Sequence, residues 1–503
     1  MKHSASHDNS PHPHGDCGGQ GTCGKCIIKI SGTPASPPTA QELKLLSRSQ
    51  LAAGVRLACQ TGIAPDSWSA RERKPLSFDE SITIHEESPA VSAQSSSAAG
   101  HTGIAVDLGT TTIAAYLINK ETGAVDRTGG MLNPQVRYGA DVMSRILHSR
   151  QNGGEALQRT GLGAISQLIR KLTLYPEQVR EMTIVGNTVM HHLLLGLPAS
   201  QLGSFPFQPA IKDALAVRPE DLGLSIVPDA LIYFLPNVSG FIGSDHLAMV
   251  CATDIYKTGK TVLGLDIGTN TEIVLAHRGL LKSASCASGP AFEGCQIKHG
   301  MRALSGAIDT MRMENSAVFV TTVDTAAPRG ICGSGILAIA AELVRHGIIS
   351  RRGHLTSAPG VRGQGRTAEF ELVPAERSAT GESITITQHD IQEIQLAKAA
   401  IRAGCEMLLR DAGITWDYVE QVVLAGSFGN SLDVPAAMTL GIFPPLGEKL
   451  FTKAGNAAGA GAVRMLTEPW LRDEAERIAR RMQHVELATH PLFSSTFVSA
   501  LSF

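Results

Sequence analysis

The stretch that most constrains this chain is Val262-Leu-Gly-Leu-Asp-Ile-Gly-Thr-Asn-Thr-Glu-Ile-Val274. An apolar run enters Asp266, the residues Gly268-Thr269-Asn270-Thr271 turn, and a second apolar run leaves. The pattern predicts a β-hairpin whose tip carries a carboxylate, a glycine and three hydrogen-bonding side chains. Glycine lets backbone come close to a ligand. Successive N–H groups in such a turn form an anion-binding concavity. A carboxylate beside it suits Mg²⁺, which touches one or two carboxylates and keeps several waters. The chain carries the pattern twice. Gly103-Ile-Ala-Val-Asp-Leu-Gly-Thr-Thr-Thr-Ile-Ala-Ala115 repeats the order, with Asp107 matching Asp266, Gly109 matching Gly268, Thr110 matching Thr269 and Thr112 matching Thr271. Two copies a domain's length apart imply a duplicated fold with a nucleotide between its halves. Two unrelated hairpins are the alternative.

A second constellation opens the chain, in Asp16-Cys-Gly-Gly-Gln-Gly-Thr-Cys-Gly-Lys-Cys26. Five residues separate Cys17 from Cys23 and two separate Cys23 from Cys26. The run Ile27-Ile-Lys-Ile30 then reads as a strand, and Cys59 follows in Leu57-Ala-Cys-Gln60. Three close thiolates and one remote thiolate are the ligand set of a [2Fe–2S] cluster. The spacing resembles ferredoxins of the C-x5-C-x2-C type, one residue longer than the plant type. A zinc site also accepts four Cys, but it usually brings two CxxC pairs, and one is present here. The same loop mimics a phosphate-binding P-loop in Gly19-x4-Gly24-Lys25, yet Cys26 stands where a hydroxyl should hold Mg²⁺.

Composition excludes several classes. At 503 residues the chain is too long for one core, so two to four domains are expected. The net charge of −2 gives no electrostatic case for nucleic acid. No apolar run is long enough for a membrane span, and the polar N-terminus lacks a signal-peptide core, so a cytoplasmic location is expected. Nine Cys, an odd number, argue against a disulfide framework. Cys251, Cys286, Cys295, Cys332 and Cys405 stand among small apolar residues and read as buried free thiols.

The two hairpins resemble the paired phosphate motifs of the acetate and sugar kinase/Hsp70/actin superfamily. Val422-Val-Leu-Ala-Gly-Ser-Phe-Gly-Asn430 resembles its adenosine motif, with Gly426, Ser427, Phe428 and Gly429 at the turn. The superfamily usually has two adjacent glycines there, where this chain has Gly426-Ser427, and Gly429 is expected to restore the close approach. Gly330-Ile-Cys-Gly-Ser-Gly-Ile336, with Gly333, Ser334 and Gly335 opening a helix, resembles the superfamily's connecting helix at the hinge. With the four cysteines, the match narrows to the ATP-dependent reductive activators of corrinoid proteins, and it runs from about Cys17 nearly to the C-terminus. The fold so implied is multidomain: a truncated ferredoxin-like [2Fe–2S] α+β domain, then duplicated α/β ribonuclease H-like halves. Residues 1–75 would be the partial ferredoxin domain with a polar, His-rich tail, and 76–101 a linker rich in Ser and Ala. Residues 102–258 would be the middle kinase-like domain and 259–503 the C-terminal, ATP-binding one. A ferredoxin fold normally has a hairpin and a helix before its first Cys. Only 16 residues precede Cys17, so an incomplete supporting sheet, or a start placed too far downstream, is expected.

The remaining segments give weaker signals. Gln135 to Asp141 is polar and precedes a helix, so it lines the cleft or forms a surface loop. Asn187-Thr188 stands at a helix start, suited to an anion or to simple capping. His191 and His192 read as packed residues. The segment Leu235 to Asp245 precedes a helix without readable chemistry. Glu293 opens a helix, where it reaches Mg²⁺ or water, or serves the helix dipole. In the superfamily, residues around Gln388 and Asp390 approach the nucleoside. The small residues after Gly455-Asn456 read as helix packing.

The resemblance implies an enzyme that uses ATP to drive an electron to a low potential. Asp107 and Asp266 would position Mg²⁺ or the attacking water, and Gly109, Thr110, Thr111, Thr112, Gly268, Thr269, Asn270 and Thr271 would cradle the phosphates. The cluster on Cys17, Cys23, Cys26 and Cys59 would take electrons from an upstream donor. The partner would be the corrinoid protein of a methyltransferase system, its Co(II) reduced to Co(I), with no nucleic acid or membrane involved and a homodimer left open. Three alternatives stay open: an activator of another low-potential metalloenzyme such as a dehydratase, a redox-sensing small-molecule kinase, and a nucleotide-dependent scaffold.

Overall fold

The computed structural model describes residues 27–30, 37–46, 48–52, 54–61, 68–69 and 102–503. Cys17, Cys23 and Cys26, the tail and the linker therefore lie outside the described residues. In the N-terminal part, β1 (Ile27–Ile30) pairs antiparallel with β2 (Val55–Leu57) and with β3 (Trp68–Ser69). The helix Ala40–Leu45 is opened by a capping box between Thr39 and Glu42. Glu42 is fully buried and accepts from Arg56 Nε and Nη2, both at 2.8 Å, and from the Leu57 N–H at 2.9 Å. Burial alone would raise the Glu42 carboxyl, yet the Arg56 pair and the backbone donors hold it below its ordinary value.

The rest of the chain repeats one plan twice. In the first half, β4 (Thr102–Leu108), β5 (Thr112–Asn119) and β6 (Val125–Leu132) form an antiparallel meander. Next, β7 (Val179–Gly186) returns parallel to β4, β8 (Leu215–Val217) follows, and β9 (Leu231–Phe234) runs parallel to β7, giving the order β6-β5-β4-β7-β9-β8. In the second half, β10 (Val262–Ile267), β11 (Thr271–His277) and β12 (Leu280–Cys286) make the same meander. Two small three-stranded sheets are inserted, one of β13 (Ala307–Glu314), β14 (Ala317–Thr322) and β15 (Gly330–Ile331), the other of β16 (Val361–Arg362), β17 (Glu369–Val373) and β18 (Ile384–Thr387). Then β19 (Gln421–Ala425) runs parallel to β10, β20 (Phe451–Lys453) parallel to β19, and β21 (Gln483–His484) closes the far edge, giving β20-β19-β10-β11-β12-β21. Each hairpin strand that carries a key aspartate is thus central, with an antiparallel neighbour on one side and a parallel one on the other. Such strands are buried on both faces, which explains their near-continuous apolar runs.

The helices Glu155–Leu172 and Gln388–Asp411 pack on the outer faces of the two sheets. The helices Ser244–Ala252 and Ala457–Thr467 lie between the sheets, and their core joins residues of both halves, from Ala105 and Tyr116 to Val262 and Val423. The small residues of Ala457–Thr467 are needed for that approach. A Cβ on Gly461 would stand 2.1 Å from the Ala248 carbonyl oxygen. The helix after Gly455 is therefore a packing helix, but it belongs to the second half and braces the first.

Four of the five scattered cysteines are buried free thiols, whereas Cys295 is half-buried. His191 and His192 are packed in the first half, with His191 against Phe234 at 5.3 Å. Burial, with His192 beside it, pushes the His191 imidazole down to about 3. An unfolded histidine titrates near 6.5, so below that pH the unfolded chain takes up a proton that the folded one refuses. The stability His191 contributes is complete above pH 6.5 and is lost progressively as pH falls toward 3. We expect it to cost up to about 2 kcal/mol by pH 5. Melting temperature against pH checks this: wild type should fall faster than His191→Asn between pH 6.5 and 5.

Candidate active site

The two hairpin tips are built alike but braced differently. The first turn, Gly109 to Thr111, is held from behind by three side chains of its own half. Asn133 Nδ2 donates to the Gly109 carbonyl at 2.9 Å, Arg145 Nη2 to the Thr110 carbonyl at 2.7 Å, and Asn187 Nδ2 to Thr110 Oγ1 at 2.9 Å. Asn133, Gln135 and Arg145 are fully buried. The polar segment from Asn133 is therefore an internal bracket for the hairpin rather than a surface loop. Burial pushes the Arg145 guanidinium down to about 10 against the pull of Asp141, and its remaining donors reach Gly139, Gln135 and Met190. Asn187 both caps the helix Thr188–Leu194 and braces Thr110, so it does more than cap. The second turn, Gly268 to Asn270, is braced by Ser288, whose hydroxyl donates to the Gly268 carbonyl at 3.1 Å and lies 2.8 Å from Thr271 Oγ1.

Both aspartates stand at the strand ends that lead into these turns. In register, Asp107 pairs with Ala114 and Val185, and Asp266 with Glu272 and Ala425. A third aspartate, Asp245, sits in the first turn of the helix Ser244–Ala252. The three are close enough to feel one another. Burial, then the charges of Asp107 and Asp266, push Asp245 up to about 8. Burial, then Asp107, push Asp266 up to about 7. Glu272 is held well above its ordinary range by burial and by Asp245 and Asp266, against a hydrogen bond from Ser285 at 3.1 Å. Asn456 Nδ2 reaches Asp107 Oδ2 at 2.9 Å and the Tyr116 hydroxyl at 3.0 Å. The mutual repulsion of these carboxylates is of the kind a hard divalent cation relieves, but among the described residues no three such side chains are grouped closely enough to hold a metal by themselves.

Of the other segments that stand out in the sequence, the turn after β19 reaches Asp266. Gly426 follows β19 with φ +81°, and a Cβ there would stand 2.5 Å from Asp266 Oδ1. We expect Gly426→Ala to cost about 1–2 kcal/mol and to disturb Asp266 directly. The urea midpoint should drop at constant slope. A Cβ on Gly429 would meet Leu424 at an ordinary 3.5 Å. Phe428 is buried and stacks on Phe292, with ring centroids 4.7 Å apart and planes at 4°, so its face is engaged inside the protein, while Ser427 is exposed. Gly333 and Ser334 open the helix Gly333–Arg345 beside that pair. Ser334 lines a cleft of about 320 Å³ with Asp309, Ser431 and Lys453. Gly335 instead packs on β13 at the Ile308 carbonyl. Gln388 and Asp390 serve the structure: Asp390 completes a capping box with Thr387, and Gln388 holds Gly353 and Leu355.

Finally, the Glu293 carboxylate accepts from Thr111 Oγ1 at 3.0 Å and from Thr269 Oγ1 at 2.6 Å. It joins the tips of the two hairpins directly. Residue pattern alone does not single out Asp245, Glu272 or Asn456. Glu272 is legible in principle, since an antiparallel hairpin with this turn sets it opposite Asp266. Asp245 and Asn456 carry no such signal.

Comparison with known proteins gives these residues a lineage. Residues 102–258 match the family model described as the RACo middle region, and residues 260–503 the one described as the C-terminal domain of RACo, the ASKHA domain. The corrinoid activation enzyme RamQ of Eubacterium limosum is 34% identical over 417 residues, covering 80% of this chain and 70% of that one. The [Co(II) methylated amine-specific corrinoid protein] reductase of Methanosarcina barkeri is 24% identical over 434 residues, covering 80% of this chain and 77% of its own. A solved reductive activator for a corrinoid, iron–sulfur protein superposes with a TM-score of 0.74 at 28% identity, covering 98% of this chain and 94% of that one. The chain is a multidomain protein with an ASKHA, actin-like ATPase fold, and it belongs to the family of reductive activators of corrinoid proteins.

Proposed function

We propose that this protein is an ATP-hydrolysing enzyme that reduces the Co(II) corrinoid of a partner protein to Co(I) with an electron from its own iron–sulfur cluster. The observation that carries the reading is the pairing of the two hairpin tips, with Asp107, Asp245 and Asp266 between them, in a chain whose relatives are named as corrinoid activators and reductases. Turn N–H groups and the Thr110, Thr111, Thr112 and Thr269 hydroxyls suit phosphate oxygens, with Asn270 beside them, whereas Thr271 is fully buried with its hydroxyl against Ser288. Asp107 and Asp266 would hold Mg²⁺, which neutralises phosphate charge when bound. Asn456 fixes the orientation of Asp107, and Gly426 leaves room for the Asp266 carboxylate. Ser334 and the adjoining cleft suit the nucleoside end. Because residues 102–258 and 259–503 each supply one hairpin, closing them on a nucleotide changes the relation of the two sheets.

Cys17, Cys23, Cys26 and Cys59 are the proposed cluster ligands, in a module of residues 1–75 tethered through 76–101. The register supports this: Ile27 pairs with Leu57, so the ends of β1 and β2 that lead in sequence to Cys26 and to Cys59 lie together. A [2Fe–2S] cluster, when bound, accepts one electron from a donor and passes it on. Plant-type clusters lie near about −400 mV, and each further 59 mV or so costs tenfold in a one-electron equilibrium. That uphill step is the reason to join an electron carrier to an ATPase. Among the described residues no helix is long and apolar enough to cross a membrane, which suits work in the cytoplasm on a protein partner.

The test is anaerobic. Purified protein should carry about two irons per chain with a visible charge-transfer absorption. With ATP, Mg²⁺ and a low-potential reductant it should convert the Co(II) absorption of a corrinoid protein to that of Co(I). Iron-free protein that phosphorylates a sugar or acid would replace this reading with a kinase.

A further inference from the structure

The turn Ala291–Glu293 makes a contact that phosphate binding does not require. Oε2 of Glu293 accepts from Thr111 and Oε1 from Thr269, residues 182 and 24 positions away in sequence. Each hydroxyl has a single proton to donate. While that proton points at Glu293, it is not available to a phosphate oxygen. Carboxylate and phosphate are both anions with several acceptor positions, and both form charge-assisted hydrogen bonds with such donors.

We propose that Glu293 is an internal phosphate surrogate: in the nucleotide-free protein its carboxylate engages the Thr111 and Thr269 donors and clasps the two hairpins, and nucleotide binding displaces it. The proposal rests on the nucleotide reading of the cleft and adds a regulatory step to it. The turn is rigidly seated. Gly294 is left-handed with φ +80° and closes the turn onto the Ala291 carbonyl, and Phe292 is stacked on Phe428. Displacing Glu293 therefore shifts a turn that also packs on the segment after β19. A protein that must first release an internal anion binds its ligand more weakly by the fraction of molecules in the released state. The clasp thus lowers nucleotide affinity and keeps the two hairpin tips joined until a nucleotide replaces it.

Two variants and two readouts test this. Glu293→Ala removes the clasp, and the isosteric Glu293→Gln keeps the packing but accepts only through its single amide oxygen. In nucleotide-free protein, amide hydrogen exchange should rise together over residues 109–112 and 268–271 in Glu293→Ala, and by less in Glu293→Gln. In calorimetric titration, ADP should bind Glu293→Ala about tenfold more tightly than wild type, with Glu293→Gln between them. Unchanged exchange at both hairpins, or weaker ADP binding, overturns the proposal. If Glu293→Ala fails to fold, Glu293→Gln decides. If wild type binds no nucleotide, the ATP reading falls while the exchange experiment still decides whether the clasp exists.

Discussion

Asp266→Asn is expected to lower ATP hydrolysis by at least about a hundredfold while leaving the visible absorption of the proposed N-terminal cluster unchanged. Preorganised electrostatic groups of this kind are commonly worth about two to three orders of magnitude in turnover. Asp266 ends a central strand, lies in register with Ala425 on one side and Glu272 on the other, and faces Gly426. Asn fits the same space but removes the negative charge, so the defect should be in turnover rather than in folding. The same change gives an electrostatic check. Asp245 is raised by burial and then by Asp107 and Asp266. With Asp266 neutral, Asp245 should ionise at lower pH. Its raised value means that the folded, metal-free protein holds a proton the unfolded chain has already lost, so Asp245 costs stability as pH rises above the ordinary aspartate range and up to about 8. Metal-free Asp266→Asn should therefore melt higher than wild type at pH 8, and the gap should shrink at pH 5. Unchanged hydrolysis would refute the assigned role.

Cys59→Ser is expected to abolish ATP-driven Co(II) reduction while ATP hydrolysis continues. Cys59 follows β2 in a short helix, Ala58–Thr61, and is half-buried beside the small core of Ile28, Leu46 and Leu57. The substitution is nearly isosteric, so the Glu42–Arg56 pair and the strand register should survive. Loss of iron with retained hydrolysis would separate the electron path from the nucleotide site. Full reduction by the variant would instead show that the protein acts on its partner without passing an electron through these cysteines, which is the scaffold reading.

Much of this protein is legible in the order of its residues. The two Asp-x-Gly-Thr hairpins are local: an apolar run, a turn and a second run within a dozen residues. A hairpin's partner is its own chain neighbour, so residue order specifies the contact. The repeat of that local pattern carries the duplication, and the repeat together with the spacing of the four cysteines carries the family. Helix caps such as Thr387 with Asp390 are local for the same reason.

Contacts between residues far apart in the chain are a different matter. Asn456 meets Asp107 across 349 positions, and Thr111 meets Glu293 across 182. Asp245 joins Asp107 and Asp266 only because its helix lies between the two sheets. Hydrophobic periodicity reports which face of an element is buried, not against which element it is buried. A polar residue at a helix start therefore looks the same whether it caps, braces a loop or joins other buried carboxylates. The bracket of Asn133 and Arg145 behind Gly109 and Thr110, and the stack of Phe292 on Phe428, follow from how the sheets and helices dock. Local residue order sets the two Asp-x-Gly-Thr turns, their duplication and the cysteine spacing. The docking of the two halves sets which carboxylates share their charge and which one ties the turns together, because those energies depend on distances that no local pattern encodes.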